Sequence, residues 1–404
     1  MAAISILGEI AGDLGLVLWR SARNVLLWAE TPPSSRGELF TGDAGAGRVQ
    51  LLAQVNAEPE LRAPLLVLAH LLARPGGADL LRVVNACRRI ALWAEQRGAL
   101  STALEFMQAA ALASPESASL AFGVGRLARR LADYDRAESW YTRAVVQGRE
   151  NQDWRSYASA LAGIGNLHRQ RGNYPASRRA QLRCLNAATR HNVKELVAAA
   201  YHNLFTIEVE MEAGLEADVL AAQALQAYDT SSPDFLRLAY DVAFHWTQRG
   251  YYAAALGVAR ALEPFASDIS VPEPILQALV ARAAGGTGDR PTYEAAAAKV
   301  DDLLSSPLVA VEVAARTLLG LGHAALNIGE PRAAVAYADE AASIARKRSE
   351  AYTMLEAEAL HEAAARAAAA EASTRTTANP FVPELAGNFV RVLSTCTRPE
   401  LTAA

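Results

Sequence analysis

The chain has 404 residues, 51% of them hydrophobic and 20% charged, with a net charge of −4. That composition supplies a substantial apolar core and excludes a disordered polar chain. The slightly acidic balance gives no global drive toward nucleic acid, and three widely spaced cysteines, Cys87, Cys184 and Cys396, exclude a disulfide framework and fit a reducing, cytoplasmic setting.

The first thirty residues are very apolar, from Ile4 through Trp19 to Trp28, but Glu9, Asp13, Arg20 and Arg23 interrupt the run. A membrane span needs about twenty nearly uncharged residues, and a secretory leader needs a basic start, so neither fits. The pattern predicts one or two amphipathic helices that cap the rest of the chain. Pairing with a second copy and contact of residues 4–28 with a membrane surface are the alternatives. Thr31-Pro32-Pro33-Ser34-Ser35 breaks this region, and 31–50 reads as a loop. Within it Gly42–Val49 has the outline of a phosphate loop, but Arg48 and Val49 stand where Lys and Ser or Thr are required, so a plain connection is expected. Helices are predicted over 51–73 and 80–97, divided by Arg74-Pro75-Gly76-Gly77. The N-terminal cap region is thus assigned to 1–80.

From residue 81 to 370 the chain repeats. Two helices are predicted at about 121–131 and 135–147, in which Gly125, Ala128, Ala137 and Ala144 alternate with Leu127, Leu131, Tyr134 and Tyr141. Small residues let two helix axes approach, and large ones fill the gaps between turns. About forty residues on, Gly165-Asn166, Gly172-Asn173-Tyr174 and Cys184 repeat the arrangement. A turn position can be followed through Gly98, Ala132, Gly172, Gly214, Gly250, Gly288 and Gly329, with steps of 34, 40, 42, 36, 38 and 41 residues. Such periodicity marks stacked helix pairs, none able to bury its apolar face alone. Beyond a long helix at Ala351–Ala370, residues 371–404 read as a polar linker followed by a short helix near Pro383–Thr395.

The repeat resembles the tetratricopeptide family. That family's motif runs from a large residue through Leu-Gly, an aromatic and a Gly-Asp-Tyr turn to a small residue, an aromatic and Ala. Val124-Gly125, Asp133-Tyr134, Ala137, Tyr141 and Ala144 match it in one copy. Leu161, Ile164-Gly165-Asn166, His168, Gly172-Asn173-Tyr174 and Cys184 match it in the next, where Ser177 and Gln181 replace a small residue and an aromatic. The resemblance implies an all-α, right-handed α-solenoid of helix hairpins whose inner surface is lined by the first helix of each pair. Carried onto this sequence, the inner positions are Arg88, Arg126, Arg129, Arg130, Asn166, Arg169, Gln170, His202, Asn203, Tyr240 and Phe244.

Guanidinium forks and amides suit carboxylates and peptide backbones. The reading is therefore a non-catalytic scaffold for a protein or peptide partner, acidic or ending in a free carboxylate. A regulatory sensor acting on a transcription or signalling partner is the alternative. No cofactor and no nucleic-acid partner are expected. The seven histidines show no metal-ligand spacing, and no nucleophile motif stands out.

Overall fold

The computed structural model describes residues 2–40, 43–55, 57–212, 214–305, 311–348, 350–369 and 381–395. Among them there is no strand. The helices are α1 (Ala2–Glu9), α2 (Gly12–Glu30), α3 (Asp43–Gln54), α4 (Pro59–Ala73), α5 (Leu80–Gln96), α6 (Leu100–Ala113), α7 (Ala118–Arg130), α8 (Tyr134–Glu150), α9 (Trp154–Gln170) and α10 (Tyr174–Arg190). They continue as α11 (Lys194–Glu210), α12 (Gly214–Ala227), α13 (Pro233–Gln248), α14 (Tyr252–Leu262), α15 (Glu273–Thr287), α16 (Arg290–Leu304), α17 (Val311–Asn327), α18 (Pro331–Arg348), α19 (Ala351–Ala369) and α20 (Phe381–Thr395). Most consecutive helices pack against one another as hairpins, in two compact units, Met1–Leu196 and Val197–Ala404.

In the first unit the turns are metrically regular. Ala132, Gln152, Gly172 and Asn192 adopt left-handed φ values of 57, 57, 71 and 55°, each 20 residues after the last. The residue after a left-handed one reaches back to cap the helix it leaves, as in Asp133 N–H to Ala128 O (2.9 Å) and Asn173 N–H to His168 O (2.9 Å). The same residue then starts the next helix. The side chains of Asp133, Asp153 and Asn173 accept from the N–H groups of Arg136, Ser156 and Ala176 at 3.3, 3.0 and 3.2 Å. One short turn thus ends one helix and begins another. Six of the seven expected turn positions are left-handed; at the seventh the left-handed residue is Glu212 (φ 59°). Gly214 instead opens α12, where a Cβ would meet only the guanidinium end of the flexible Arg249 side chain. Left-handed φ costs a non-glycine residue about 1 kcal/mol, so Ala132→Gly is expected to stabilise the fold by roughly 0.5–1 kcal/mol in urea denaturation.

Tyr141 on α8, 1% exposed, explains the glycines on both neighbouring helices. A Cβ at Gly125 of α7 would stand 2.7 Å from its Cδ1, and one at Gly163 of α9 2.5 Å from its Cε1. Gly163→Ala is expected to cost about 1–3 kcal/mol by overpacking, read as a lower urea midpoint with an unchanged m-value. In the next copy polar groups replace this arrangement. Gln181 stands in the aromatic's place, its Nε2 2.5 Å from where a Gly165 Cβ would be. It donates to Ala162 O (3.1 Å), and Ser177 Oγ donates to Gly165 O (2.8 Å). The two motif departures are therefore satisfied internally. Cys184 is fully buried, and burial pushes its thiol pKa up to about 12, as expected of a core thiol.

At the N-terminus, α1 packs on α2 and α6, and α2 packs on α6 and α4. Ile6, Val17, Leu18, Ala22, Val25 and Trp28 are buried there. Glu9 ties this layer to the hairpins by accepting from Ser101 N–H, Thr102 N–H and Thr102 Oγ, each at 2.8 Å, at the start of α6. Trp28 Nε1 donates to Pro75 O (2.8 Å). Two boundaries differ from expectation. Residues from Asp43 on, read as part of a loop, form α3, and the single helix expected over 51–73 is divided before Pro59, whose fixed φ starts α4. Among the described residues no helix is long and apolar enough to cross a membrane.

In the second unit α13 to α19 pack pair upon pair, and α20 lies on α14 and α12. Val382, Leu385, Ala386, Phe389 and Leu393 of α20 are buried. The Phe389 ring lies 6.4 Å from Phe235 and 6.3 Å from Trp246. Trp246 Nε1 in turn donates to buried Asp218 (2.9 Å).

Candidate functional site

The expected inner-surface residues fall in both units, and their environments differ sharply. In the first unit Arg88 is exposed on α5. Arg126 grips Glu95 with both Nη atoms, at 2.5 and 2.6 Å, and Arg130 bonds the same carboxylate. These hydrogen bonds, Arg126's foremost, hold the Glu95 pKa below its ordinary value. Arg129 is half-buried beside the Tyr141 hydroxyl, with its Nε bonded to nothing. Asn166 Oδ1 accepts from Gln181 Nε2 (3.2 Å). Arg169 is half-buried and Gln170 exposed at the end of α9.

In the second unit His202 is held on both sides. Its Nδ1 lies 3.2 Å from Tyr228 Oη and its Nε2 3.1 Å from Asp241, which also accepts from Arg237 Nε. Asn203 is half-buried on the same helix. Tyr240 and Phe244, one helical turn apart on α13, stack with centroids 6.2 Å apart.

Tyr240 and Phe244 open onto a recess of about 780 Å³ whose walls are α13, α15, α17 and α19. These are the first helices of successive pairs. Ile275, Leu279 and Leu319 give it apolar walls, and Gln248, Arg282, Arg316, His323, Tyr352 and Glu356 its polar groups. Small residues make the room. A Cβ at Gly320 of α17 would come within 2.8 Å of Ala278 Cβ on α15, so the two helices approach closely behind the recess.

The charge in this recess is unbalanced. Arg282 is largely buried, its Nε has no hydrogen-bond partner, and it forms no ion pair among the described residues. Its guanidinium carbon lies 5.9 Å over the Phe244 ring, and burial lowers its pKa from the ordinary arginine value. Burial, together with the Arg282 charge, pulls His323 down to about 3, so it is neutral at pH 7. Glu356, the one carboxylate lining the recess, accepts from Tyr352. Glu356 also acts on Arg282 through space but does not bond it. A buried cation that no carboxylate bonds costs several kcal/mol, and proteins keep such groups chiefly where something else completes them.

Arg282, Arg316 and His323 were not among the expected site residues, yet the sequence held a usable cue. Counting six residues back from the left-handed residue after the first helix of each pair gives Leu92 from Gly98, Arg126 from Ala132, Asn166 from Gly172 and Thr206 from Glu212. The same count gives Phe244 from Gly250, Arg282 from Gly288 and His323 from Gly329. The register that yields Arg126, Asn166 and Phe244 therefore also yields Arg282 and His323.

No protein-family model matches the sequence, and no curated protein is significantly similar to it. Solved structures do align with the fold. The Rap conjugation gene regulator of the plasmid pLS20, in complex with the Phr* peptide, aligns at 13% identity over 88% of this chain and 99% of its own, with a TM-score of 0.48. A Rap protein complexed with competence and sporulation factor aligns at 11% identity over 87% and 99%, also at 0.48. A tetratricopeptide repeat protein from Parabacteroides merdae aligns at 17% identity over 70% and 98%, at 0.46.

Proposed function

We propose that this chain is a non-catalytic scaffold that binds a protein or peptide partner in the recess of its second unit. A carboxylate of the partner, from an acidic side chain or a free C-terminus, sits on Arg282 with Arg316 beside it, while apolar side chains lie against Phe244, Tyr240, Leu279 and Leu319. The observation that carries this reading is the buried Arg282 guanidinium, which no carboxylate among the described residues bonds. Guanidinium forks hold carboxylates bidentately, and a volume of several hundred Å³ accommodates a few peptide side chains. In the first unit one carboxylate already meets Arg126 and Arg130, leaving a weaker net attraction. Asn166 there keeps its Nδ2 available for a peptide carbonyl, as a secondary contact.

A random peptide library displayed with free C-termini tests the reading. Selected peptides are expected to carry a carboxylate next to apolar residues and to lose at least tenfold in affinity on Arg282→Met. Amidated versions tell a terminal carboxylate from an acidic side chain. Peptides that bind wild type and Arg282→Met equally would overturn the assignment of this recess.

A further inference from the structure

Charge is distributed very unevenly along this chain. Residues 1–196 hold 24 Lys and Arg against 17 Asp and Glu, a net +7; residues 197–404 hold 15 against 26, a net −11; together these give the chain's −4. Much of the positive excess comes from one stretch. Between Asp153 and Glu195 there is no acidic residue, while Arg155, Arg169, Arg171, Arg178, Arg179, Arg183, Arg190 and Lys194 all lie there.

Some of these are spoken for. Arg155 pairs with Glu195 (2.6 Å), and Arg171 with Asp135 (2.8 Å) and Glu138 (2.6 Å). Arg179, Arg183 and Arg190 are exposed on α10 and have no ion pair among the described residues. Spacings of four and seven residues set them in one stripe along the helix, about 6 and 10 Å apart in rise.

The second unit carries a matching surface. A shallow groove of about 310 Å³ between α18 and α19 is lined by Asp339, Glu358 and Glu362, with His361 and Arg346 at its side. Asp339 is held by His361 Nδ1 (2.8 Å). Glu358 and Glu362 are exposed, without ion pairs among the described residues, and repeat the four-residue spacing of Arg179 and Arg183.

We propose that the chain self-associates, the α10 arginine stripe of one copy docking on the α18–α19 acidic groove of a second. Each copy carries one stripe and one groove, so every copy offers both halves of the contact. Nucleic acid is the poorer occupant, because the −11 of the second unit repels a long polyanion. A foreign acidic protein is not needed, because the complement is present in every copy of the chain. This association uses neither Arg282 nor the recess, so it stands or falls separately from the peptide-binding reading.

Sedimentation velocity on the full chain tests it. At about 50 mM salt wild type is expected as a dimer whose dissociation constant rises at least tenfold at about 500 mM. Arg179→Glu/Arg183→Glu/Arg190→Glu and Glu358→Arg/Glu362→Arg are each expected to sediment as monomers with unchanged helical circular dichroism, and their equimolar mixture to recover the dimer. Should either variant misfold, Arg179→Gln/Arg183→Gln and Glu358→Gln/Glu362→Gln replace them, each weakening association without restoring it on mixing. Wild type that stays monomeric at low salt would overturn the proposal. So would reversed variants that dimerise normally, or a stripe reversal that abolishes only retention on a DNA column.

Discussion

Arg282→Met is expected to make the protein more stable and less able to bind. In most cavities a truncated side chain costs stability, because it leaves a void or a broken bond. Here the guanidinium is buried beside Phe244 with an unbonded Nε and no bonded carboxylate, so folding must desolvate a charge that Glu356 offsets only through space. Methionine retains the length and polarisability of the arginine stem over the ring and removes that penalty. The gain is expected at about 1–3 kcal/mol in chemical denaturation, the range seen when buried ionic groups give way to apolar ones of similar volume. The same change deletes the fork that holds the ligand carboxylate, so affinity falls while stability rises. A structural arginine would give the opposite result: Arg282→Met would destabilise and leave peptide binding intact. Arg282→Lys separates charge from geometry, because it keeps a cation but loses the planar pair of donors. It is expected to retain part of the affinity and none of the added stability.

Acidification from pH 7 to pH 5 is expected to remove about 4 kcal/mol of stability from the second unit, most of it through two histidines. Burial, helped by the charge of Arg249, holds His245 down to about 4, and burial beside Arg282 holds His323 down to about 3. His245 is 5% exposed, with its Nε2 unbonded and its ring perpendicular to that of Phe205 at 5.8 Å between centroids. Both groups stay neutral in the fold, while the unfolded chain titrates near 6.5. The unfolded state therefore binds protons first as pH falls, and stability present above pH 6.5 is lost progressively down to the folded pKa values. At pH 5 each histidine lies about 1.5 units below its unfolded pKa, worth about 2 kcal/mol apiece. Asp218 opposes the trend, because burial raises its pKa and its protonation favours the fold, but its effect develops closer to the unfolded carboxylate range. Urea midpoints at pH 5 and pH 7 measure the difference. His323→Gln is expected to flatten that slope by about half; a slope unchanged in both His323→Gln and His245→Gln would show that other groups govern it.

The sequence by itself determined the local order of this protein. Turn chemistry is written in short range: a residue able to take left-handed φ recurs at Ala132, Gly172, Gly250, Gly288 and Gly329, followed at Ala132, Gly172 and Gly288 by an Asp or Asn that caps the next helix, so these turns could be located in advance. The small–large alternation around Tyr141 was equally readable, because a ring that needs two glycines leaves those glycines in the chain. Aromatic and cationic residues on the first helices were also visible, and Tyr240 and Phe244 do line the recess. What the sequence could not reveal was which cations lack a partner. Arg126 and Arg282 occupy the same place relative to their turns, and as residues they are identical. Glu95, on a different helix, accepts both Nη atoms of the first, whereas no carboxylate among the described residues bonds the second. Ion pairing between helices 30 to 40 residues apart depends on which faces the packing brings together. Tertiary structure alone decided it, and with it the place where this protein has a charge to offer.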